Sequence, residues 1–232
     1  MSTELDSTVL FRRYAEVYRR LRSLVPYRDL LFQLVYVAHL TDASRVLDVC
    51  CGDGGLLWAL EASGLRCEVV GIDTSSAMLK QAAAEPYRGR ARFQRCDLNA
   101  PAPGLGLGQF DVIACNNGLY ALDDPPAVLR YLHSLAQPQA RLVISTFGPQ
   151  PNKDAILAAH LAAVEAVGGN PVHEAGRLKS LLAEVDRCNA DIMALARTGA
   201  FHAPPKESSV TGLPTLVGVF APSPPPMPAK IG

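Results

Sequence analysis

Val46-Leu47-Asp48-Val49-Cys50-Cys51-Gly52-Asp53-Gly54-Gly55 is an apolar run that breaks into a glycine-rich turn, and Val69-Val70-Gly71-Ile72-Asp73 is a second such run that ends on a carboxylate. A strand, a turn of glycines and a second strand closed by an acid form an arrangement that holds the ribose of a nucleoside-containing cofactor. Gly52 and Gly54 can take positive φ and, lacking Cβ, let a ligand lie against the backbone. Leu56 to Ala62 reads as a helix, so the turn ends at a helix N-terminus whose open N–H groups face that ligand. One carboxylate can accept from both hydroxyls of a ribose diol, which assigns that role to Asp73.

Charge narrows the cofactor. A nicotinamide-type fingerprint needs Gly-x-Gly-x-x-Gly, and from Gly52 the chain reads Gly-Asp-Gly-Gly-Leu-Leu, with Leu57 in the last place. A P-loop needs Gly-Lys-Ser/Thr to neutralise phosphates, and no Lys or Arg lies between Arg45 and Arg66. The loop carries Asp48 and Asp53 instead. That charge suits a cofactor with a cationic centre and no phosphate, of which S-adenosylmethionine is the common one.

In these residues the chain resembles the class I S-adenosylmethionine-dependent methyltransferases, especially those acting on small molecules, over most of its length. Val46 to Gly54 is similar to the family's first motif, with Asp48 ending strand one. Cys50 stands where that motif has its first glycine, a departure similar to quinone-pathway methyltransferases. The resemblance implies that Asp73 binds the cofactor's ribose and that Asp97, in Phe93-Gln94-Arg95-Cys96-Asp97-Leu98, contacts the adenine amino group. It further implies that Asn116, in the strand-four run Phe110 to Asn117, lies beside the methionine moiety, with Asn117 a weaker candidate. Thr74, Met78 and Leu98 complete the implied cofactor contacts, together with Asp48, Cys50, Gly52 and Gly54. Arg141 to Phe147 resembles strand five. Tyr14 and Tyr18 are spaced as in an N-terminal helix that closes over the cofactor, with Tyr18 the contact.

Each residue also has a plain structural role. An Asp after a valine-rich strand serves as a turn former or helix cap, and it is the glycine loop beside Asp73 and Asp97 that favours a ligand. Tyr14 and Tyr18, four apart, also describe ordinary packing on one helix face. Asn116-Asn117-Gly118 would make a simple turn.

The 232 residues are 49% hydrophobic, enough for one substantial core. With 22 basic and 22 acidic residues the chain has no electrostatic footprint for a polyanion, which argues against nucleic acid. Arg12, Arg13, Arg19, Arg20 and Arg22 are spread along a helical stretch as a solvated face or an anion contact. No apolar run approaches the ~18 residues of a membrane span, and Met1 to Asp6 is polar with nothing that indicates export. The expectation is a cytoplasmic monomer or homodimer. The six cysteines, Cys50, Cys51, Cys67, Cys96, Cys115 and Cys188, include no zinc-like C-x-x-C pair. They read as small buried hydrophobes in a reducing compartment, with a soft-metal or metalloid site at Cys50, Cys96 and Cys115 as the sharper alternative.

The expected architecture is a Rossmann-like α/β fold, a mostly parallel seven-stranded sheet with helices on both faces. One domain spans 1–221, with an N-terminal helical cap (1–42) formed by helices at Glu4 to Arg22 and Pro26 to Leu40. Helices at Ser75 to Ala84 and Pro126 to Ala136 alternate with strands, which implies right-handed parallel crossovers. Ala100 to Gly108 reads as a surface loop. A helical insertion (148–198), with helices at Lys153 to Val167 and Arg177 to Arg197 separated by Gly168-Gly169-Asn170-Pro171, covers the cofactor end of the sheet. Gly199-Ala200-Phe201 resembles the turn after the family's last large helix. Thr215 to Ala221 reads as a closing strand with its antiparallel partner before it, and the Pro-rich 222–232 as a mobile tail.

The resemblance implies in-line attack of an acceptor on the sulfonium methyl, with S-adenosylhomocysteine as product, so alignment and exclusion of water carry most of the catalysis. A general base is needed only for a weakly acidic hydroxyl or carbon acid. The candidates are Tyr120, His160 and His173, none with an evident partner carboxylate; His39, His133 and His202 are read as structural. The absence of an Asn-Pro-Pro-Tyr/Phe tetrad after strand four leaves O-, N- or C-methylation of a small molecule open. An insertion rich in Ala, Leu and Val suits an apolar, natural-product or quinone-like acceptor. Two rival readings are a cyclase-like enzyme that binds S-adenosylmethionine without transferring methyl, and a non-catalytic scaffold.

Overall fold

The computed structural model describes residues 19, 22, 25–100, 106–147, 153–166, 170–187, 200–202, 208–209 and 215–222. Tyr14, Tyr18, most of the expected first helix, Cys188 and the tail beyond Pro222 lie outside the described residues.

Alternation of short apolar strands with amphipathic helices produces the expected layers. The strands are β1 (Arg45–Val49), β2 (Glu68–Asp73), β3 (Arg90–Arg95), β4 (Phe110–Asn116), β5 (Ala136–Phe147), β6 (Phe201–His202), β7 (Ser208–Ser209) and β8 (Thr215–Pro222). Their order is β3-β2-β1-β4-β5-β8-β6, with β7 also on β8. The first five are parallel, and β8 runs antiparallel to β5, β6 and β7. Among the described residues there are eight strands where seven were expected, two of them the two-residue pieces β6 and β7 that both pair with β8. Phe201, expected in a turn, begins the first of them. At the opposite edge, Arg90, Arg92 and Arg95 dot β3 with charge, which discourages pairing with a foreign strand.

The helices are α1 (Val25–Ala38), α2 (Gly55–Ala62), α3 (Ser76–Ala82), α4 (Pro125–Ser134), α5 (Lys153–Ala166) and α6 (Pro171–Arg187). Leu30, Leu31, Leu34, Val35 and Ala38 make one buried stripe on α1 and meet Leu56, Leu57 and Leu60 of α2 over Val46, Val69 and Val112 of the sheet. The helix stops where His39 turns left-handed at φ 52°. On the other sheet face, Leu47, Val49, Val70 and Ile113 pack with Val128, Leu129 and Leu132 of α4. The core therefore lies in two layers, one on each side of the sheet.

Two boundaries differ from the sequence reading for identifiable reasons. Strand β5 begins at Ala136 rather than Arg141, because Phe110 pairs with Ala136 and Val112 with Arg141, so Pro138 falls in an irregularity where it breaks no ladder bond. Helix α6 begins at Pro171 rather than Arg177: the side chain of Asn170 accepts from the backbone N–H of Val172 at 3.0 Å and His173 at 3.3 Å, a cap followed by proline at the first helical position.

Candidate functional site

The strand order reverses beside β1, which pairs with β2 on one side and β4 on the other. Loops leaving the carboxyl ends of these strands diverge there and leave a crevice, the usual place for a ligand in an open α/β sheet. The glycine turn after β1, Asp73 at the end of β2, Asn116 at the end of β4 and Ser145 near the end of β5 all stand on this edge.

The turn is built for close approach. Gly52 has φ +54° and open space where a Cβ would project, while at Gly54, φ +84°, a Cβ would press to 3.1 Å on Ala82. Cys50 shares the left-handed conformation at φ 54°, which explains why glycine suits this position and costs a cysteine about 1–2 kcal/mol. Asp73 holds the turn: its Oδ2 accepts from Gly52 N–H at 3.0 Å and its Oδ1 from Ser75 N–H at 2.8 Å. Ser75 in turn caps α3 by accepting from Met78 N–H at 3.3 Å. Each carboxylate oxygen keeps a further lone pair, so the same group can tether the loop and accept from a diol.

Asp48, 2% exposed within β1, lies beneath this turn rather than at its lip. Burial, and then the nearby Asp73 and Asp53, push its pKa up to about 8. Burial also raises Asp53, against the pull of Arg22, and Asp73, against its backbone donors. A carboxyl whose pKa is raised on folding contributes stability fully below its unfolded value near 3.8, and that contribution is lost as pH rises toward 8. The melting temperature of Asp48→Asn relative to the parent is therefore expected to rise steadily from about pH 4 to about pH 8; a constant difference across that range would contradict this.

Asn116 is oriented by a residue the sequence reading passed over. Buried Ser145 donates its Oγ hydrogen to Asn116 Oδ1 at 2.6 Å and accepts from Asn117 N–H at 3.0 Å. Accepting at Oδ1 turns the Asn116 amide hydrogens away from Ser145. Asn117 is left-handed at φ 48°, and its Oδ1 is buried with no hydrogen-bond partner among the described residues. A serine near the end of a strand carries no sequence signature, so only the fold identifies it. Ser145→Ala should weaken cofactor binding several-fold and stability by about 1 kcal/mol, which calorimetry and denaturant titration would check.

The remaining expected residues scatter in character. Met78 and Leu98 are buried in the core, Thr74 is half-buried with its carbonyl accepting from Arg95 Nε at 3.1 Å, and Asp97 is exposed just past β3, accepting from Asn99 N–H at 3.0 Å. Tyr120 lies in the short 3-10 turn Leu119–Ala121, its side chain outside what is described. His173 is exposed with Nδ1 3.4 Å from Glu174 Oε1, and His160 is buried with Nδ1 2.7 Å from Tyr27 Oη. The two histidines thus do have a carboxylate neighbour, Glu174, which the sequence reading missed.

Of the five arginines, the two described, Arg19 and Arg22, make contacts with carboxylates, Arg19 from an exposed position. Arg22, 8% exposed, pairs through Nη2 with Glu85 Oε1 at 2.6 Å and through Nη1 with Asp53 Oδ2 at 3.4 Å, and Arg19 also bonds Glu85. Arg12, Arg13 and Arg20 lie outside the described residues. Cys50 is raised well above the ordinary thiol pKa by its hydrogen bond with Cys115 and by burial, and burial raises Cys51 and Cys96 as well. Among the described residues no group of three or more His, Cys, Asp or Glu is placed to hold a metal ion.

A family model of the methyltransferase domain matches residues 12–186. The chain belongs to the methyltransferase domain family. Its sheet order and glycine turn place this methyltransferase domain in the class I, S-adenosylmethionine-dependent group. It is 37% identical over 106 residues to a 2-phytyl-1,4-naphtoquinone methyltransferase of Synechococcus elongatus, covering 43% of this chain and 44% of that protein. It is 33% identical over 139 residues to a ubiquinone biosynthesis O-methyltransferase of Albidiferax ferrireducens, covering 58% and 52%. The match spans about half the length of these curated relatives. In structure it is similar to the magnesium protoporphyrin IX methyltransferase of Synechocystis PCC 6803 with bound S-adenosylhomocysteine, with TM-score 0.58 and 19% identity, covering 94% of this chain and 100% of that one. That likeness concerns the fold. No described helix is long and apolar enough to cross a membrane.

Proposed function

We propose that this protein transfers the methyl group of S-adenosylmethionine to a small-molecule acceptor, releasing S-adenosylhomocysteine. The observation that carries the reading is Asp73, a carboxylate that ties the glycine turn to the cap of α3 at the point where the strand order reverses. The residues suit this cofactor: an open backbone face at Gly52, the Asp73 carboxylate beside it, and the buried acceptor of Asn117 that has no partner among the described residues.

When bound, the cofactor supplies a methyl group on a sulfonium cation. Asp73 accepts from the ribose hydroxyls, Asp97 takes the adenine amino group, and Asn116 offers its amide hydrogens to the methionine carboxylate. Helices α5 and α6, packed on each other with Ile156, Val164 and Leu182 buried, shield the carboxyl edge from water. The names of the two relatives support an aromatic, quinone-like acceptor, as does the apolar insertion. We place the protein in the cytoplasm, as a monomer or homodimer.

Calorimetric titration with S-adenosylmethionine and S-adenosylhomocysteine, followed by mass spectrometry of candidate acceptors, tests this. Saturable binding of both and a 14-dalton gain on an acceptor are expected; absence of binding would overturn the reading of the glycine turn.

A further inference from the structure

Tyr27 stands in the first turn of α1, and four residues on, Leu31 packs where a Cβ on Gly55 would lie 3.4 Å from its methyl groups. Residues four apart share a helix face. Tyr27 is thus one turn further along the face that packs on the start of α2, where the glycine turn ends. Its hydroxyl meets His160 Nδ1 of α5 at 2.7 Å, with the rings edge to face at 6.1 Å. His160 is 4% exposed, whereas Tyr27 is half-buried. Glu174, buried in the first turn of α6, is the charged group acting on His160 from the neighbouring helix; exposed His173 lies on its other side. Burial lowers the imidazole pKa against the pull of Glu174, which favours the neutral form with an open nitrogen lone pair.

A half-buried tyrosine whose hydroxyl rests on a buried histidine can pass a proton inward from a group that reaches it. We infer that Tyr27 is a catalytic residue that receives the hydroxyl proton of a phenol-class acceptor, with His160 acting through it as the terminal proton acceptor. This rests on the methyltransferase reading and deepens it by naming oxygen as the acceptor atom. In the tautomer with hydrogen on Nε2, His160 Nδ1 takes the Tyr27 proton as Tyr27 Oη takes that of the acceptor. The acceptor oxygen pair forms the new bond to the methyl carbon as the carbon–sulfur bond breaks, its electrons going to sulfur. The imidazolium left behind is stabilised by Glu174 and returns its proton to water by the same route after release of product.

The test uses the full chain saturated with S-adenosylhomocysteine and a series of 4-substituted phenols, including 4-nitrophenol, whose ionised form is read by its absorbance. Wild type is expected to ionise the bound phenol at a pH about one unit below free solution, a roughly tenfold change in ionised fraction. Tyr27→Phe, which keeps the ring and its packing, and His160→Gln should each abolish the shift while leaving S-adenosylhomocysteine affinity within about twofold. An equal shift in the variants, or phenols that bind un-ionised or not at all, would overturn the pair's role. Failure of wild type to bind S-adenosylhomocysteine would instead strike the methyltransferase reading itself. A merely structural contact between α1 and α5 would move melting temperature and leave the ionisation spectrum alone.

Discussion

Glu85→Ala is expected to destabilise the protein by about 3–5 kcal/mol. Glu85 follows α3, its side chain is 3% exposed, and its Oε1 receives Arg22 Nη2 at 2.6 Å and Arg19 Nε at 3.0 Å. Arg22 is itself only 10% exposed in its side chain and lies 5.7 Å from the Trp58 ring centroid. Removing the carboxylate strands a buried guanidinium on one remaining partner, Asp53 at 3.4 Å, and an uncompensated buried charge is the costly outcome of breaking such a pair. Arg19, with half its side chain in solvent, adds little to this. Denaturant unfolding of Glu85→Ala beside Glu85→Gln and the double variant Arg22→Met/Glu85→Leu would measure it. The double variant should recover most of the loss, because its apolar side chains need no partner. A loss under about 1 kcal/mol in Glu85→Ala would show that water reaches Arg22 and that the pair behaves as a surface bridge.

The same contact bears on function, since Asp53 sits between Gly52 and Gly54. Arg22 is therefore a strut from the segment before α1 to the glycine turn. All four charges are visible in the sequence, with nothing local to pair them: Arg22 and Asp53 are 31 residues apart, and Arg19 and Glu85 are 66 apart. What the sequence does disclose is local. The strand, glycine turn and following helix of 46–62 were legible because apolar runs and positive-φ glycines are properties of neighbouring residues. Asp73 was legible because it ends a strand beside that turn. Its second task, holding Gly52 and Ser75 together, belongs to the three-dimensional turn. The cap Asn170-Pro171 was present as a helix-start signal, yet the glycines before it read as a longer break. Ser145 and the Tyr27–His160 pair, 133 residues apart, have no periodicity to mark them.

Asp73→Ala should lower affinity for S-adenosylmethionine and S-adenosylhomocysteine by at least about 100-fold, since two hydrogen bonds to a charged acceptor are worth roughly 1.5–3 kcal/mol each. Both ligands carry the same ribose, so both should weaken alike, whereas a purely electrostatic role for Asp73 would spare the neutral homocysteine product. The variant also leaves Gly52 N–H and Ser75 N–H without their acceptor, which lets the glycine turn and the start of α3 part. Asp73→Asn does not rescue this. An amide has one oxygen, so an Asn side chain in the same pose would set an NH2 donor against one of the two N–H donors. Calorimetry with each ligand, alongside circular dichroism to verify that the sheet is retained, separates the possibilities. Affinity within threefold of the parent in a folded Asp73→Ala protein would mean that the carboxylate serves the turn alone and that the ribose is held elsewhere.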